Sequence, residues 1–305
     1  MDGIIVLDKP QDFTSFDAVA VVRGLTRERR IGHTGTLDPM ATGVLPLLLG
    51  RATKAVSLLP DTDKAYEAGF RFGERSDTGD VTGMRLAADE TPVGRAALEA
   101  VLPRFTGGIM QVPPMYSAVS VNGQRLYKLA RQGVEIEREA RPVHIAALRL
   151  LEYDEAQRAG RLAVTCSKGT YIRTLIEDIA DALGTCGVMT ALRRTAACGF
   201  ALGDAVTLDA LKALRETGGF SGVLRPVERL FSALPAVQVT PAQGKRYLNG
   251  GALELSRCRV QGEAPREGEH TAVYSGAQFL GLAALRDGAL CYVKAFAERD
   301  RTSVV

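Results

Sequence analysis

The stretch Gly32-His-Thr-Gly-Thr-Leu-Asp-Pro-Met-Ala-Thr-Gly-Val-Leu45 is the most informative part of this sequence. Residues 31–43 show neither helical nor strand periodicity and include three glycines, which predicts a loop. Asp38 stands before Pro39, and a following proline biases the backbone toward an extended conformation. An ordinary aspartate is ionised at neutral pH, so Asp38 can act as a nucleophile, a general base or a metal ligand. An isolated Asp-Pro pair is, however, more often a simple turn.

Two elements are predicted on the N-terminal side of this loop. Residues 4–7 are a run of apolar side chains and predict a short buried strand. A helix is expected after it, because Thr14 and Asp17 form the Thr-x-x-Asp pattern of a capping box and apolar residues follow at helical spacing. Lys9 falls between the two elements, where it is either a surface lysine beside a turn or a structural support for the site.

Two further candidates lie later in the chain. Residues 66–72 alternate in polarity, which predicts a half-buried strand. Tyr66, its first residue, is either a core aromatic or a phenol that stacks on a flat ligand. Arg173 falls in the first turn of a helix predicted after the apolar strand 162–166, where a cation opposes the helix dipole and calls for a nearby anion. The alternatives for Arg173 are a surface side chain or an ion pair with Glu177.

The composition of the chain changes near residue 233. Residues 1–232 mix strands and helices without a regular βαβ order, which predicts an α+β fold. One of its helices is expected to begin at Thr91-Pro92 and to run to about Leu102, with proline at the first helical position. Residues 233–305 contain short strand-like runs separated by turns, which predicts a small all-β module joined through residues 219–234.

Composition narrows the class of protein. The 305 residues carry 38 basic and 35 acidic side chains, and the five cysteines have no metal-ligand or disulfide-framework spacing. No signal peptide or long apolar run is visible, so a cytoplasmic protein without a membrane span is expected. The sequence shows no nucleotide-binding motif and no metal-ligand cluster, so neither a cofactor nor a metal is predicted. The basic residues are mostly arginine, which suits phosphate binding but also a GC-rich genome.

Six blocks of the sequence together resemble the bacterial tRNA pseudouridine-55 synthases, the TruB family. In the order of that family they are Leu7-Asp-Lys-Pro10, the stretch Gly32–Leu45, Lys64-Ala-Tyr66, Pro113-Pro-Met-Tyr-Ser-Ala118, Cys166-Ser-Lys-Gly-Thr-Tyr-Ile-Arg-Thr-Leu175 and Leu192-Arg-Arg-Thr195. The resemblance implies the pseudouridine synthase fold, a mixed and largely antiparallel sheet flanked by helices. It also implies that residues 1–232 form the catalytic domain and that residues 233–305 form a PUA-like RNA-binding domain.

The resemblance implies a reaction and roles for individual residues. A uridine in the T-loop of tRNA, position 55, would be flipped out and isomerised to pseudouridine, and the protein would also assist tRNA folding. Asp38 would be the catalytic carboxylate, which attacks the sugar C1′ or the base C6 or abstracts a sugar proton. Arg173 would pair with it, and Tyr66 would stack on the base and help to remove the C5 proton. The other substrate-binding residues would be His33, Tyr171, Leu192 and Lys9.

The resemblance also bears on how the RNA is held and on partners. Residues 120–142 resemble a mobile insertion that clamps RNA, although a solvated charged face is the simpler interpretation of their basic residues. Two positions depart from the family pattern: Ser120 stands where lysine is usual, and the glycine of Ala196-Ala-Cys-Gly-Phe200 is shifted by one. The T-arm of tRNA is the expected partner. A stand-alone enzyme that needs no guide RNA and no protein partner is expected, because the terminal segments are short. A monomer is also expected.

Two other functions compete with this interpretation. The protein could be a non-catalytic RNA-binding or tRNA-folding protein, although the set Asp38, Tyr66 and Arg173 argues against that as its sole role. It could also be a sugar hydrolase, which needs a second carboxylate beside Asp38. No motif in the sequence marks such a partner.

Overall fold

The computed structural model describes residues 1–60, 62–121 and 123–298. Its strands are β1 (Gly3–Lys9), β2 (Ile31–His33), β3 (Thr42–Leu49), β4 (Lys64–Phe72), β5 (Glu74–Ser76), β6 (Arg85–Ala88), β7 (Gly107–Gln111), β8 (Ser120–Val121), β9 (Gln124–Arg125), β10 (Arg141–Asp154), β11 (Ala159–Cys166), β12 (Gly187–Ala197), β13 (Phe200–Ala201), β14 (Leu224–Arg225), β15 (Ala236–Gln238), β16 (Leu253–Glu254), β17 (Arg259–Gln261), β18 (His270–Ser275), β19 (Gln278–Arg286) and β20 (Ala289–Ala295).

The helices pack around these strands. The α-helices are α1 (Ser15–Thr26), α2 (Arg95–Val101), α3 (Leu126–Ala130), α4 (Ile172–Ala182), α5 (Leu208–Thr217) and α6 (Pro241–Leu248). Short 3₁₀ helices span Gly50–Leu58, Leu102–Phe105, Leu202–Asp204, Val227–Phe231 and Leu255–Arg257. Among the described residues, no helix is long and apolar enough to cross a membrane.

A ten-stranded sheet forms the larger part of the molecule. Its strand order is β14-β1-β3-β12-β4-β11-β10-β7, with β2 paired to β3 and β13 paired to β12. The described pairs are antiparallel except the contact between β12 and β3, which is parallel. A mixed, largely antiparallel sheet with helices packed on it confirms the predicted fold class.

Local sequence explains most of these elements. Helix α1 begins with the predicted capping box: the Asp17 amide donates to Thr14 Oγ1, and the Thr14 amide donates to the Asp17 carboxylate. Helix α4 ends before Gly184, whose φ of +74° is the left-handed conformation that glycine adopts without strain. The prediction of a helix from Thr91-Pro92 was wrong in its start, because α2 begins three residues later, after Gly94.

The parallel contact between β3 and β12 places the end of the Asp38 loop beside β12. Gly43 and Arg194 face each other across this contact. Gly43 has a φ of +102°, and a Cβ atom at this position would lie 2.2 Å from the Arg194 carbonyl oxygen. Only glycine fits there, so Gly43 lets the two backbones approach closely enough to bring Arg194 to the loop.

A six-stranded sheet follows in the order β16-β20-β19-β18-β15-β17. Helix α6, which the strand pattern did not predict, lies between β15 and β16 in the sequence. Thr240 and Gln243 form a capping box for α6, and Pro241 stands at its first position. Residues 299–305 of the predicted module lie outside the described residues.

The two sheets share a hydrophobic cluster. Val6 and Leu48 of the larger sheet belong to it together with Phe279 and Phe296 of the smaller one. Phe231, in the connection, has ring-centroid distances of 6.1 Å to Phe279 and 5.7 Å to Phe296. Burial of these rings holds the two sheets together, since large aromatic side chains contribute the most apolar area per residue.

Candidate active site around Asp38 and Arg173

The loop between β2 and β3 carries Asp38. Its backbone is held by α1 and by the segment before α1. Ser15 Oγ accepts a hydrogen bond from the Leu37 amide at 2.9 Å, and the Asp12 amide donates to the Pro39 carbonyl at 2.9 Å. These contacts lie on either side of Asp38, so its backbone is fixed before any ligand binds.

Arg173 reaches this loop from the first turn of α4. Its Nε atom lies 3.2 Å from Asp38 Oδ2, its Nη1 donates to the Thr78 carbonyl at 2.6 Å, and its Nη2 donates to the Tyr116 carbonyl at 2.9 Å. The Arg173 side chain is 6% exposed and that of Asp38 is 36% exposed. A buried guanidinium held by fixed carbonyls therefore contacts an accessible carboxylate, which is the anion that its helix position called for.

Asp80 is a second carboxylate at Arg173 that sequence reasoning missed. Its Oδ2 lies 4.0 Å from Arg173 Nε. Its Oδ1 accepts hydrogen bonds from the Thr78 hydroxyl at 2.9 Å and from the Thr82 amide at 3.0 Å. The available signal was the acidic stretch of residues 73–80, which matched no metal-binding pattern. Since Asp80 is buried and hydrogen-bonded, it is poorly placed to be the second acid of a sugar hydrolase.

The surroundings shift the pKa of Asp38 upward from its ordinary value. Burial among protein atoms is the main cause, and the negative charge of Asp80 adds to it. The positive charges of Arg173 and Lys9 act in the opposite direction. Burial therefore favours the protonated form of Asp38, and Arg173 favours the carboxylate form.

Lys9 is fully buried at the end of β1, so the interpretation of it as a surface lysine is wrong. Its Nζ donates to the carbonyl oxygens of Pro10 at 2.8 Å, Phe13 at 2.6 Å and Pro39 at 3.2 Å. Burial lowers the pKa of Lys9 to about 8, although the charge of Asp38 favours its protonated form. Lys9 thus joins β1, the start of α1 and the residue after Asp38.

Arg194 holds the other half of the loop and is also fully buried. Its Nε donates to the Val44 carbonyl at 2.7 Å, and its Nη2 donates to the Gly35 carbonyl at 3.2 Å. The sequence placed Arg194 in the block Leu192-Arg-Arg-Thr195 but did not predict this support of the loop. Its neighbour Arg193 is engaged within the protein, with Nη2 2.8 Å from the Asp8 carboxylate.

Tyr66 and Leu192 lie on adjacent strands of the sheet. Tyr66 pairs with Arg194 across β4 and β12 and is 9% exposed, while Leu192 is 8% exposed. Burial raises the pKa of the Tyr66 phenol, and the nearby charge of Arg194 partly counteracts this. In the described structure both side chains belong to the main hydrophobic cluster, so each presents only a small accessible area to a base.

Tyr171 and His33 flank the site from other elements. Tyr171 is the N-cap residue of α4, and its amide donates to Gln111 Oε1 at 3.0 Å. His33 ends β2 just before the Asp38 loop, and burial together with the charge of Arg194 lowers its pKa. Both effects favour the neutral form of the imidazole. Among the described residues, no group of histidine, cysteine and acidic side chains could hold a metal ion.

The arrangement can direct one accessible carboxylate at a bound group while keeping that carboxylate in place. Arg173 orients it, and Lys9 and Arg194 hold the loop on both sides of it. Such pre-organisation is what nucleophilic or general-base chemistry requires, because little rearrangement is then needed during the reaction.

Family models match most of the chain. Residues 23–172 match the model described as TruB family pseudouridylate synthase (N terminal domain). Residues 173–232 match the model described as tRNA pseudouridylate synthase B C-terminal domain. The two matched segments are contiguous and together contain Asp38, Tyr66, Arg173 and Leu192.

Curated relatives have the same length range as this chain. A protein named tRNA pseudouridine synthase B from Burkholderia lata is 46% identical over 290 residues, which cover 95% of this chain and 88% of the relative. Another of the same name from Pseudomonas putida is 46% identical over 285 residues, covering 92% of this chain and 91% of the relative.

Solved structures share the fold over almost the whole chain. A chain in the crystal structure of a Cbf5-Nop10-Gar1 complex superposes with a TM-score of 0.77 at 26% identity, covering 98% of this chain and 86% of that one. A chain in the structure of an archaeal box H/ACA sRNP Nop10-Cbf5 complex gives a TM-score of 0.76 at 25% identity, with coverages of 98% and 87%. From its sequence, its fold and the matched models, the chain belongs to the TruB family of pseudouridylate synthases.

Proposed function

We propose that this protein isomerises a uridine of tRNA to pseudouridine, and that its target is position 55 in the T-loop. The observation that carries the proposal is the contact between the buried Arg173 guanidinium and the accessible Asp38 carboxylate, 3.2 Å apart, in a member of this family. The names of the relatives from Burkholderia lata and Pseudomonas putida support tRNA as the substrate.

In the proposed reaction, Asp38 is the nucleophile and acts on a uridine that has left the RNA stack. The N1–C1′ bond breaks, the base turns, a C5–C1′ bond forms, and the proton on C5 is lost as N1 gains one. No atom is gained or lost, so the net reaction requires no co-reactant. Extruding the base costs a few kcal/mol, which the contacts of the bound RNA must offset.

The remaining site residues have proposed roles that match their positions. Arg173 keeps Asp38 ionised and oriented, and Lys9 supports the loop through its hydrogen bond to the Pro39 carbonyl. Tyr66 contacts the target base through its accessible edge and helps to remove the C5 proton. Three further residues complete the base-binding site: Tyr171, Leu192 and His33.

We propose residues 1–232 as the catalytic domain and 233–305 as the PUA-like RNA-binding domain. The insertion 120–142 is proposed to clamp the RNA. Its exposed cations are Arg125, Lys128, Arg131 and Arg141. Because these cations lie on the insertion and not in the Asp38 loop, they also support a second role in which the protein holds and refolds tRNA without chemistry. We further propose that the protein acts in the cytoplasm as a monomer without a guide RNA.

Incubation with an unmodified tRNA transcript, followed by mapping of pseudouridine, tests the main proposal. We expect modification at the T-loop uridine alone, and none in a transcript that carries cytidine there. Asp38→Asn should lower the rate by at least about 10³-fold, because an amide is neither nucleophile nor base, while tRNA binding is retained. Near-normal turnover by Asp38→Asn contradicts the assignment. Refolding of tRNA by the same variant tests the second role.

A further inference from the structure

Phe16 is the most exposed large hydrophobic residue among those that the structure describes, with 76% of its surface accessible. Single exposed apolar residues are common on protein surfaces and need no function. Phe16 differs in its position, because its ring contacts His33 edge-on, with 5.9 Å between centroids and an interplanar angle of 87°. It therefore lies directly beside the strand end that leads into the Asp38 loop.

The backbone at Phe16 is held rigidly relative to Asp38. Its neighbour Ser15 is hydrogen-bonded to Leu37, the residue before Asp38, and its neighbour Asp17 is fixed in the capping box of α1. The Phe13 carbonyl accepts from Lys9 Nζ, which also binds the Pro39 carbonyl after Asp38. The segment 13–17 and the Asp38 loop thus form one rigid unit, from which an aromatic ring projects into solvent.

An aromatic ring in this position can cover the base that the proposed reaction leaves unstacked. When a uridine leaves the stack, the adjacent base loses a stacking partner and its face becomes open. A rigid aromatic side chain can cover that face, since every base has a π-surface and stacking on it does not depend on sequence. The imidazole of His33 packs edge-on against the ring and supports it from the side of the Asp38 loop.

We propose that Phe16 stacks on an unpaired base of the tRNA loop next to the extruded uridine, with His33 as its edge-on support. This inference rests on the proposed function for the identity of the RNA. It assigns the side chain of Phe16 to RNA binding, and it explains why so large an apolar ring is kept exposed at the rim of the site.

The experiment compares four variants in binding to an unmodified tRNA transcript. Phe16→Ala should raise the Kd by about fivefold or more, the lower range for loss of one stacked base. Phe16→Trp should keep the wild-type Kd because it stacks, whereas Phe16→Leu should resemble Phe16→Ala because it is apolar but not aromatic. Leu151→Ala is the control, since Leu151 is exposed on β10, which three strands separate from β3.

A change in Kd of less than about twofold for Phe16→Ala would overturn the inference, because loss of a stacked base raises the Kd by more than that. A wild-type Kd for Phe16→Leu would overturn it as well, since an apolar side chain would then support tRNA binding without aromatic stacking. Thermal unfolding of each variant verifies the fold. Failure of the proposed function is seen separately, as absence of pseudouridine in the wild-type reaction, and the binding comparison remains valid in that case.

Discussion

The Nε atom of Arg173 lies 3.2 Å from the carboxylate of Asp38, while the other two nitrogens of the guanidinium donate to the carbonyls of Thr78 and Tyr116. The orientation of the carboxylate therefore depends on a planar group with several fixed donors. Lysine carries its charge as a single point and cannot make this set of contacts.

Arg173→Lys should keep the positive charge but lose the planar set of donors that contacts Asp38, Thr78 and Tyr116. We expect the rate of pseudouridine formation to fall by about 10²-fold, the effect of misplacing a reacting group by roughly 1 Å. Stability should fall by about 1–3 kcal/mol, because a partly buried carbonyl loses its charged donor. Single-turnover kinetics and denaturant unfolding measure the two effects. Wild-type kinetics in a folded Arg173→Lys variant would contradict a positioning role.

Asp80→Asn should shift the acid limb of the pH–rate profile to lower pH. The negative charge of Asp80 raises the pKa of Asp38, so its removal should lower that pKa and keep Asp38 ionised in more acidic solution. The measurement is the single-turnover rate across the acid range for both proteins. An acid limb that stays in place or moves to higher pH would rule out this electrostatic coupling.

Lys9→Met should destabilise the protein by about 1–3 kcal/mol, because the carbonyls of Pro10, Phe13 and Pro39 then lose their charged donor. The pH dependence of this difference has a defined sign. The pKa of Lys9 is lowered to about 8 in the folded chain from an ordinary value of 10.5. Between these values the unfolded chain binds more protons, so the stability contributed by Lys9 rises with pH. Unfolding of both proteins at several alkaline pH values tests this, and a decreasing difference would contradict it.

Phe231→Ala should lower the free energy of unfolding by about 3–5 kcal/mol, as is usual for loss of a buried phenylalanine. Phe231 is 1% exposed and contacts rings of the smaller sheet, so both sheets should unfold at a lower temperature in one transition. Calorimetry measures this. Two separate transitions in the wild-type protein would show that the shared cluster does not couple the sheets.

Local signals in the sequence predicted much of the fold. The capping box of α1 and the alternation in β4 are local patterns, and the structure has both of them. The start of α2 was predicted wrongly because proline favours the first helical position without requiring it. Helix α6 was missed although its capping box and Pro241 were present, because the short strands around it dominated the pattern.

The site could be predicted from the sequence only where a residue belonged to a recognisable local pattern. The position of Arg173 in the first turn of a helix predicted a nearby anion, and the structure places Asp38 there. The catalytic role of Asp38 stays a prediction. The burial of Lys9 and Arg194 had no local signal, because charged side chains are rarely buried and their partners are backbone carbonyls distant in sequence. Asp80 was missed for the same reason, since only folding brings it to Arg173.

The cations around the Asp38 loop are engaged within the protein. Lys9 and Arg194 donate to loop carbonyls, and Arg173 contacts Asp38. Exposed cations lie instead on the insertion, and they are Arg125, Lys128, Arg131 and Arg141. Binding of RNA phosphates by these exposed side chains would release the counterions held by the RNA, so the affinity should fall as the salt concentration rises. A plot of log Kd against log salt concentration measures this directly.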